Sequence, residues 1–188
     1  KAQGTSSEPI LFTSNAASPA AGDWYGLRFL ATTDAASTVL AHCTVQYAGY
    51  GNAGSIYING ASPTLNSTTV ENSSNYALYY TGTVGGSVSN CTLDSGVHLL
   101  AAGSVDFSGN TFNQNNAYPT TTYSHHVGHI VNDNTFTNVD GDSYIDVVGG
   151  NITQDASWTD AIPYLIRCSP TIQGTDGTDG ITTLTLEP

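Results

Sequence analysis

The sequence predicts an all-β chain wound as a β-solenoid of about eight coils, with no significant helix. Three observations carry this. Charged residues make up only 10% of the 188, and 20 glycines with many Thr, Ser and Asn take their place. These types are poor in helices and rich in turns. Five segments superpose without gaps: Leu40-Ala41-His42-Cys43-Thr44-Val45, Leu65-Asn66-Ser67-Thr68-Thr69-Val70, Val88-Ser89-Asn90-Cys91-Thr92-Leu93, Phe107-Ser108-Gly109-Asn110-Thr111-Phe112 and Val131-Asn132-Asp133-Asn134-Thr135-Phe136. Their closing apolar residues lie 25, 23, 19 and 24 positions apart. Further short runs alternate with period two: Leu27-Arg28-Phe29, Ile56-Tyr57-Ile58, Leu78-Tyr79-Tyr80, Val97-His98-Leu99 and Ile145-Asp146-Val147. Alternation marks half-buried strands, and Gly, Asn, Asp and Ser between them mark turns.

A period of ~19–25 residues with two or three short strands is one solenoid coil. Coils stack ~4.8 Å apart, so the rod is roughly 40 Å long. A leucine-rich repeat has a similar period but needs a Leu-x-x-Leu-x-Leu frame, which is missing. A β-sandwich also suits short, regular strands. Residues 1–188 read as a single solenoid unit with both ends uncapped. An irregular outward loop near 114–126 interrupts the repeat at Tyr118-Pro119-Thr120-Thr121-Thr122-Tyr123.

Stacked coils place like residues over like. Val45, Val70, Leu93, Phe112 and Phe136 form one inward column, and Cys43, Thr68, Cys91, Asn110 and Asn134 a second. Amides in such a column hydrogen-bond along the stack. Thr44, Thr69, Thr92, Thr111 and Thr135 form an outward column, where β-branched residues suit a strand. His42, Ser67, Asn90, Gly109 and Asp133 read as a mixed outward column beside it. The Thr column lacks the second Thr column of ice-binding solenoids, because its neighbours are Gln46, Glu71, Asp94, Asn113 and Thr137.

Three Cys cannot all pair. Cys43 and Cys91 are two coils apart, ~9.6 Å, beyond the ~7 Å limit for a disulfide. Three free thiols are expected, two of them buried. Trp24 and Trp158 are expected to cover core corners, each indole N–H finding a partner.

Three basic against 15 acidic residues give a net charge of −12. Nucleic-acid binding needs clustered Lys and Arg, so that partner is excluded. A polybasic membrane-surface role fails likewise, and no 18-residue apolar run is present for membrane insertion.

The stretch Gly4-Thr5-Ser6-Ser7-Glu8-Pro9-Ile10-Leu11-Phe12-Thr13-Ser14, then Gly22-Asp23-Trp24-Tyr25-Gly26-Leu27, resembles a motif of secreted and cell-surface right-handed parallel β-helix proteins. Ser62-Pro63-Thr64-Leu65 and Ser169-Pro170-Thr171-Ile172 are similar to that family's S-P-T-I turns. The resemblance implies a right-handed parallel β-helix of the pectin-lyase-like superfamily, located outside the cell or on its surface. Such modules occur in large surface proteins without known catalysis. Ile181-Thr182-Thr183-Leu184-Thr185-Leu186-Glu187-Pro188 resembles the opening of a module whose continuation resembles residues 2–14. The expected role is therefore a structural element that builds a fibre or stalk. Its partners are tandem copies in a longer chain, or other copies that self-associate through the terminal coils. The alternative is a carbohydrate-binding, adhesin-like or polysaccharide-cleaving module with glycans as partners.

Chemistry for cleavage is thin. A lyase needs a base and, usually, calcium to hold uronates, yet Lys1, Arg28 and Arg167 are the only basic residues. A hydrolase needs two carboxylates ~5–9.5 Å apart. Asp140, Asp142 and Asp146 are the candidates. The D-D, G-H-G and R-I-K motifs of polygalacturonase-type hydrolases are not found. Asp-Gly here also suits an acidic turn. No cofactor is expected apart from calcium, for which oxygen-rich turns at Asp140 and Asp142 or at Thr175-Asp176-Gly177-Thr178-Asp179-Gly180 are suited. His125-His126-Val127-Gly128-His129 is dense in metal-ligand types. As a strand it would hold His125 and His129 ~14 Å apart, too far for one ion. Tyr57 and Tyr79 point outward in neighbouring coils and are the candidates for stacking on sugars; Tyr47 and Tyr50 are further surface aromatics. Asn66, Asn72, Asn90 and Asn151 open N-x-S/T sequons, relevant only in a glycosylating host.

Overall fold

The computed structural model describes residues 1–34, 37–51, 53–113, 119–174, 176 and 179–188. The chain is a parallel β-solenoid of about six turns. Three sheets form its sides, and every strand pair is parallel. The first sheet holds Ala2–Gln3, Val39–Ala41, Thr64–Asn66, Ser87–Ser89 and Asp106–Ser108. The second holds Ile10–Phe12, Cys43–Gln46, Thr69–Glu71, Thr92–Leu93, Thr111–Asn113 and Thr135–Thr137. The third holds Leu27–Leu30, Ile56–Asn59, Leu78–Thr81, Val97–Leu99, Thr120–Thr122, Ile145–Val147 and Tyr164–Ile166.

The row expected from the repeat is present. Val45 pairs with Val70, Val70 with Leu93, Leu93 with Phe112, and Phe112 with Phe136. Phe12 extends it by one turn below Val45. Phe112 and Phe136 stack with ring centroids 4.9 Å apart. The second inward column carries an amide ladder at its upper end. Asn110 Nδ2 donates to Asn134 Oδ1 (2.9 Å) and to Val88 O (2.8 Å). Lower down, Thr68 and Cys91 turn their hydroxyl and thiol back to carbonyls two residues earlier.

Three expectations are corrected. The turns number about six, not about eight, because the terminal ones are long: Ala2 pairs with Leu40, and Ala156 with Leu184. The superposed six-residue segments are not single strands. His42, Ser67, Asn90, Gly109 and Asp133 all have positive φ, between 46° and 64°. They are the corners between the first and second sheets. Each corner shifts the alternation by one, so Leu40 and Cys43 both point inward. Small or polar residues tolerate this conformation at low cost, and donors at these corners bond to the next turn, as from Asn90 N to Ser108 O.

The third correction concerns His125-His126-Val127-Gly128-His129. It is helical, not extended: a 3₁₀ turn at Ser124–His126 runs into an α-helix at Val127–Val131. Val127, Ile130 and Val131 are buried, so one helical face replaces a strand of the first sheet. The helix lies between Asp106–Ser108 and the later strand Ala156–Thr159. Of the outward loop expected near 114–126, residues 114–118 lie outside the described residues, while Thr120–Thr122 is a fully buried strand.

Three two-stranded ladders complete the wall: Thr83–Val84 with Ala102–Gly103 in the middle of the stack, and Gly150–Ile152 with Pro170–Ile172 and Ala156–Thr159 with Leu184–Glu187 in its last turns. Among the described residues, the outermost strands at both ends of the stack have no further strand beside them.

Candidate functional site

Alternation along the third sheet turns every second residue outward, and register lines these residues up. Arg28, Tyr57, Tyr79, His98, Thr121 and Asp146 form one continuous column. The Arg28 guanidinium sits 4.2 Å from the Tyr57 ring centroid. Tyr57 stacks on Tyr79 at 5.7 Å, and Tyr79 on His98 at 4.0 Å with the rings nearly parallel. Tyr76 packs edge-on against both Tyr79 and His98. Burial lowers the His98 pKa, so the ring stacks as a neutral imidazole; burial and the neighbouring Tyr57 and Tyr76 raise that of Tyr79.

At the upper end the column becomes polar. Thr121 Oγ1 donates to Asp146 Oδ2 (3.3 Å), and Arg167 Nε lies 2.7 Å from Asp146 Oδ1. Leu165 follows Asp146 in register, and Arg167, two residues further on, reaches back to the Asp146 carboxylate. Stacking a sugar needs an open aromatic face. Both faces of Tyr79 are occupied by Tyr57 and His98, and Arg28 lies over Tyr57. Ring edges and hydroxyls remain for solvent. Tyr25 and Tyr50 form a separate, exposed edge-to-face pair at 5.0 Å.

The three candidate aspartates are divided between two environments. Asp140 Oδ1 accepts from Asp142 N (3.0 Å) and Ser143 Oγ (2.9 Å) in an exposed turn. The Ser143 bond and the turn's backbone N–H groups hold the Asp140 carboxyl below its usual range. Asp146 is buried in the column and belongs to Arg167 and Thr121 instead. Thr175, Gly177 and Thr178 of the repeated triplet lie outside the described residues. Its Asp176 accepts from Asp155 N, and Asp179 from Ile181 N. Among the described residues no three His, Cys, Asp or Glu side chains are grouped to hold a metal ion.

The helical turn brings the histidines together. His125 and His129 are one helical turn apart. His126 is buried, its ring 3.9 Å from that of His125, with Nε2–H donating to Ala101 O at 3.1 Å. Burial pushes the His126 pKa down to about 4, with the two other histidines adding to the effect. His129 Nδ1 lies 4.0 Å from Asp106 Oδ1. These residues border a cleft of about 710 Å³ between residues 103–108 and 151–157.

The remaining candidates are dispersed. Asn66 is half-buried and bonded to Ser89 Oγ. Asn72 and Asn90 are exposed at positive φ, and Asn151 is exposed on a strand. Cys43 and Cys91 are buried, Cys168 is exposed, and all three are free. Trp24 Nε1 donates to Gln46 O at 2.9 Å, as expected of a corner residue. Trp158 is buried against Tyr164, but its indole N–H has no partner among the described residues.

Sequence reasoning missed the extent of the third-sheet column. Its signal was the central residue of each alternating run, where Arg28, Tyr57, Tyr79, His98 and Asp146 stand. It also missed Asp106, Asn132, Gln154 and Asp155 around the cleft, which no local pattern joins.

No protein-family model, no curated protein and no solved structure matches the chain. Fold and register define its class as a parallel β-solenoid repeat protein.

Proposed function

We propose that the chain is a non-catalytic structural element at the cell exterior, a run of turns within a fibre or stalk. Further parallel turns would stack on its terminal ones, supplied by tandem copies or by a second chain. One observation carries this reading. Among the described residues, the outermost strands at both ends have an edge with no strand paired to it, and apolar residues stand at those edges. Ile10, Phe12, Leu27 and Phe29 are only partly covered in the first turn, whereas Ile56, Ile58 and Val70 are fully buried. In the last turns Ile166 and Leu186 are exposed (45% and 68%). Open edges of this kind template further strands.

The resemblance of residues 4–27 to motifs of the pectin-lyase-like superfamily supports the same reading, as does the engagement of Asp146 by Arg167. Electron microscopy of the native full-length protein tests it. Rods or filaments longer than six turns support the assignment. Short monodisperse particles whose end turns are closed by their own local segments would overturn it.

A further inference from the structure

We propose that the cleft beside the helical turn is a binding site for a neutral, hydroxyl-rich saccharide. This role goes beyond the structural one. The cleft exists because Val127–Val131 takes the place of a strand. The helix directs Val127, Ile130 and Val131 into the core and leaves Gly128 towards the opening. A Cβ on Gly128 would meet Ser157 O at 2.9 Å, so only glycine lets the helix approach the upper wall this closely. The walls are two strand steps apart, ~10 Å. A volume of about 710 Å³ falls within the range of small-molecule sites.

The lining selects the ligand class. Asp106 and Ser108 stand on the lower wall, Asn132 on the floor, and Gln154 and Asp155 on the upper wall. Carboxylates accept from hydroxyls, while amides both donate and accept. Asn132 Oδ1 is buried in this lining and has no hydrogen-bond partner among the described residues. Lys1, Arg28 and Arg167 are the chain's only basic residues, and among the described residues none of them lines the cleft. Asp106, Asp133 and Asp155 would repel phosphates, uronates and other anions, with no Lys or Arg in the described lining to offset them. Phe107, Ile152 and Ala156 also line the cleft, so beside its polar groups it offers apolar surface to the C–H faces of a sugar ring. No three metal-ligating side chains converge among the described residues. A chain of neutral pyranose rings satisfies these conditions.

The test is calorimetric titration of the full chain with short neutral oligosaccharides of glucan, xylan, mannan and chitin type, up to about 1 mM. Oligogalacturonate, Zn²⁺ and Ca²⁺ are titrated in parallel. Two variants change exposed residues: Ser104→Trp fills the cleft, and Gln154→Ala removes one amide. At least one neutral oligosaccharide is expected to bind, with affinity lowered about tenfold or more in each variant. Unchanged thermal unfolding of both variants separates loss of the site from loss of the fold. The proposal is overturned if no neutral saccharide binds. It is equally overturned if binding survives both variants, or if only oligogalacturonate or a metal ion binds.

Discussion

Asn110 and Asn134 are joined across one turn of the solenoid by two bonds into the same oxygen. Both the backbone N–H and the Nδ2 of Asn110 donate to Asn134 Oδ1 at 2.9 Å. Asn110 Oδ1 in turn accepts from Cys91 N at 2.9 Å. One buried amide thereby ties three successive turns.

Asn110→Ala should strand the Cys91 N–H and remove the Nδ2 donor from Val88 O and Asn134 Oδ1, while the backbone N–H of residue 110 still reaches the Asn134 oxygen. The expected loss is roughly 2–4 kcal/mol, above that of a single hydrogen bond because three bonds of one buried side chain are lost and a buried N–H is left unpaired. Urea unfolding measures it. A loss under about 0.5 kcal/mol would show the ladder to be dispensable.

The corners supply a second prediction. Asn90 has φ 53°, a conformation that β-branched residues resist. Asn90→Val should cost roughly 1–2 kcal/mol, whereas Asn90→Gly should be near neutral. Equal melting temperatures for the two variants would contradict the corner assignment.

Acid should loosen the helical turn. His126 has its pKa lowered to about 4 by burial, against about 6.5 in the unfolded chain. A lowered pKa means that the unfolded state takes up the proton first. Stability is therefore full above about pH 6.5 and declines towards pH 4, by on the order of 3 kcal/mol. His126→Gln retains a donor for Ala101 O and should flatten that limb of the stability profile. An unchanged acid limb would remove His126 as its cause.

Thiol labelling should sort the cysteines. Cys168 is exposed, while burial pushes Cys91 up to about 11 and also raises Cys43. Native protein treated with iodoacetamide at about pH 8 should take one label at Cys168, and unfolded protein three. Rapid labelling of Cys43 or Cys91 in the native state would place them outside the core. The raised Cys91 pKa also predicts stability that is intact below about pH 9 and lost towards pH 11.

The stack was legible in the sequence because each turn repeats the same in-and-out demand. Val45, Val70, Leu93, Phe112 and Phe136 occupy equivalent places on the same face. The corners were not legible, because His42, Ser67 and Asp133 are ordinary strand-surface types until backbone torsion is known. Nor was the helix, since Val127, Ile130 and Val131 fit either period over so short a span, and only tertiary packing decides between them. Tyr57 and Tyr79 were read correctly as outward neighbours. Their mutual stacking depends on side-chain rotamers, which spacing does not reveal.

The hydrogen bonds between turns all run along the rod, so tension between its ends loads them in series and the weakest rung yields first. The rung where a helix stands in for a strand is the natural place for failure. Each turn in the middle of the stack, once peeled away, releases the 19 to 25 residues between register partners such as Leu93 and Phe112 or Val45 and Val70. That is ~65–90 Å of slack per event. Pulling single molecules should give a sawtooth of steps of that length. A single all-or-none rupture would mean that the rungs break together.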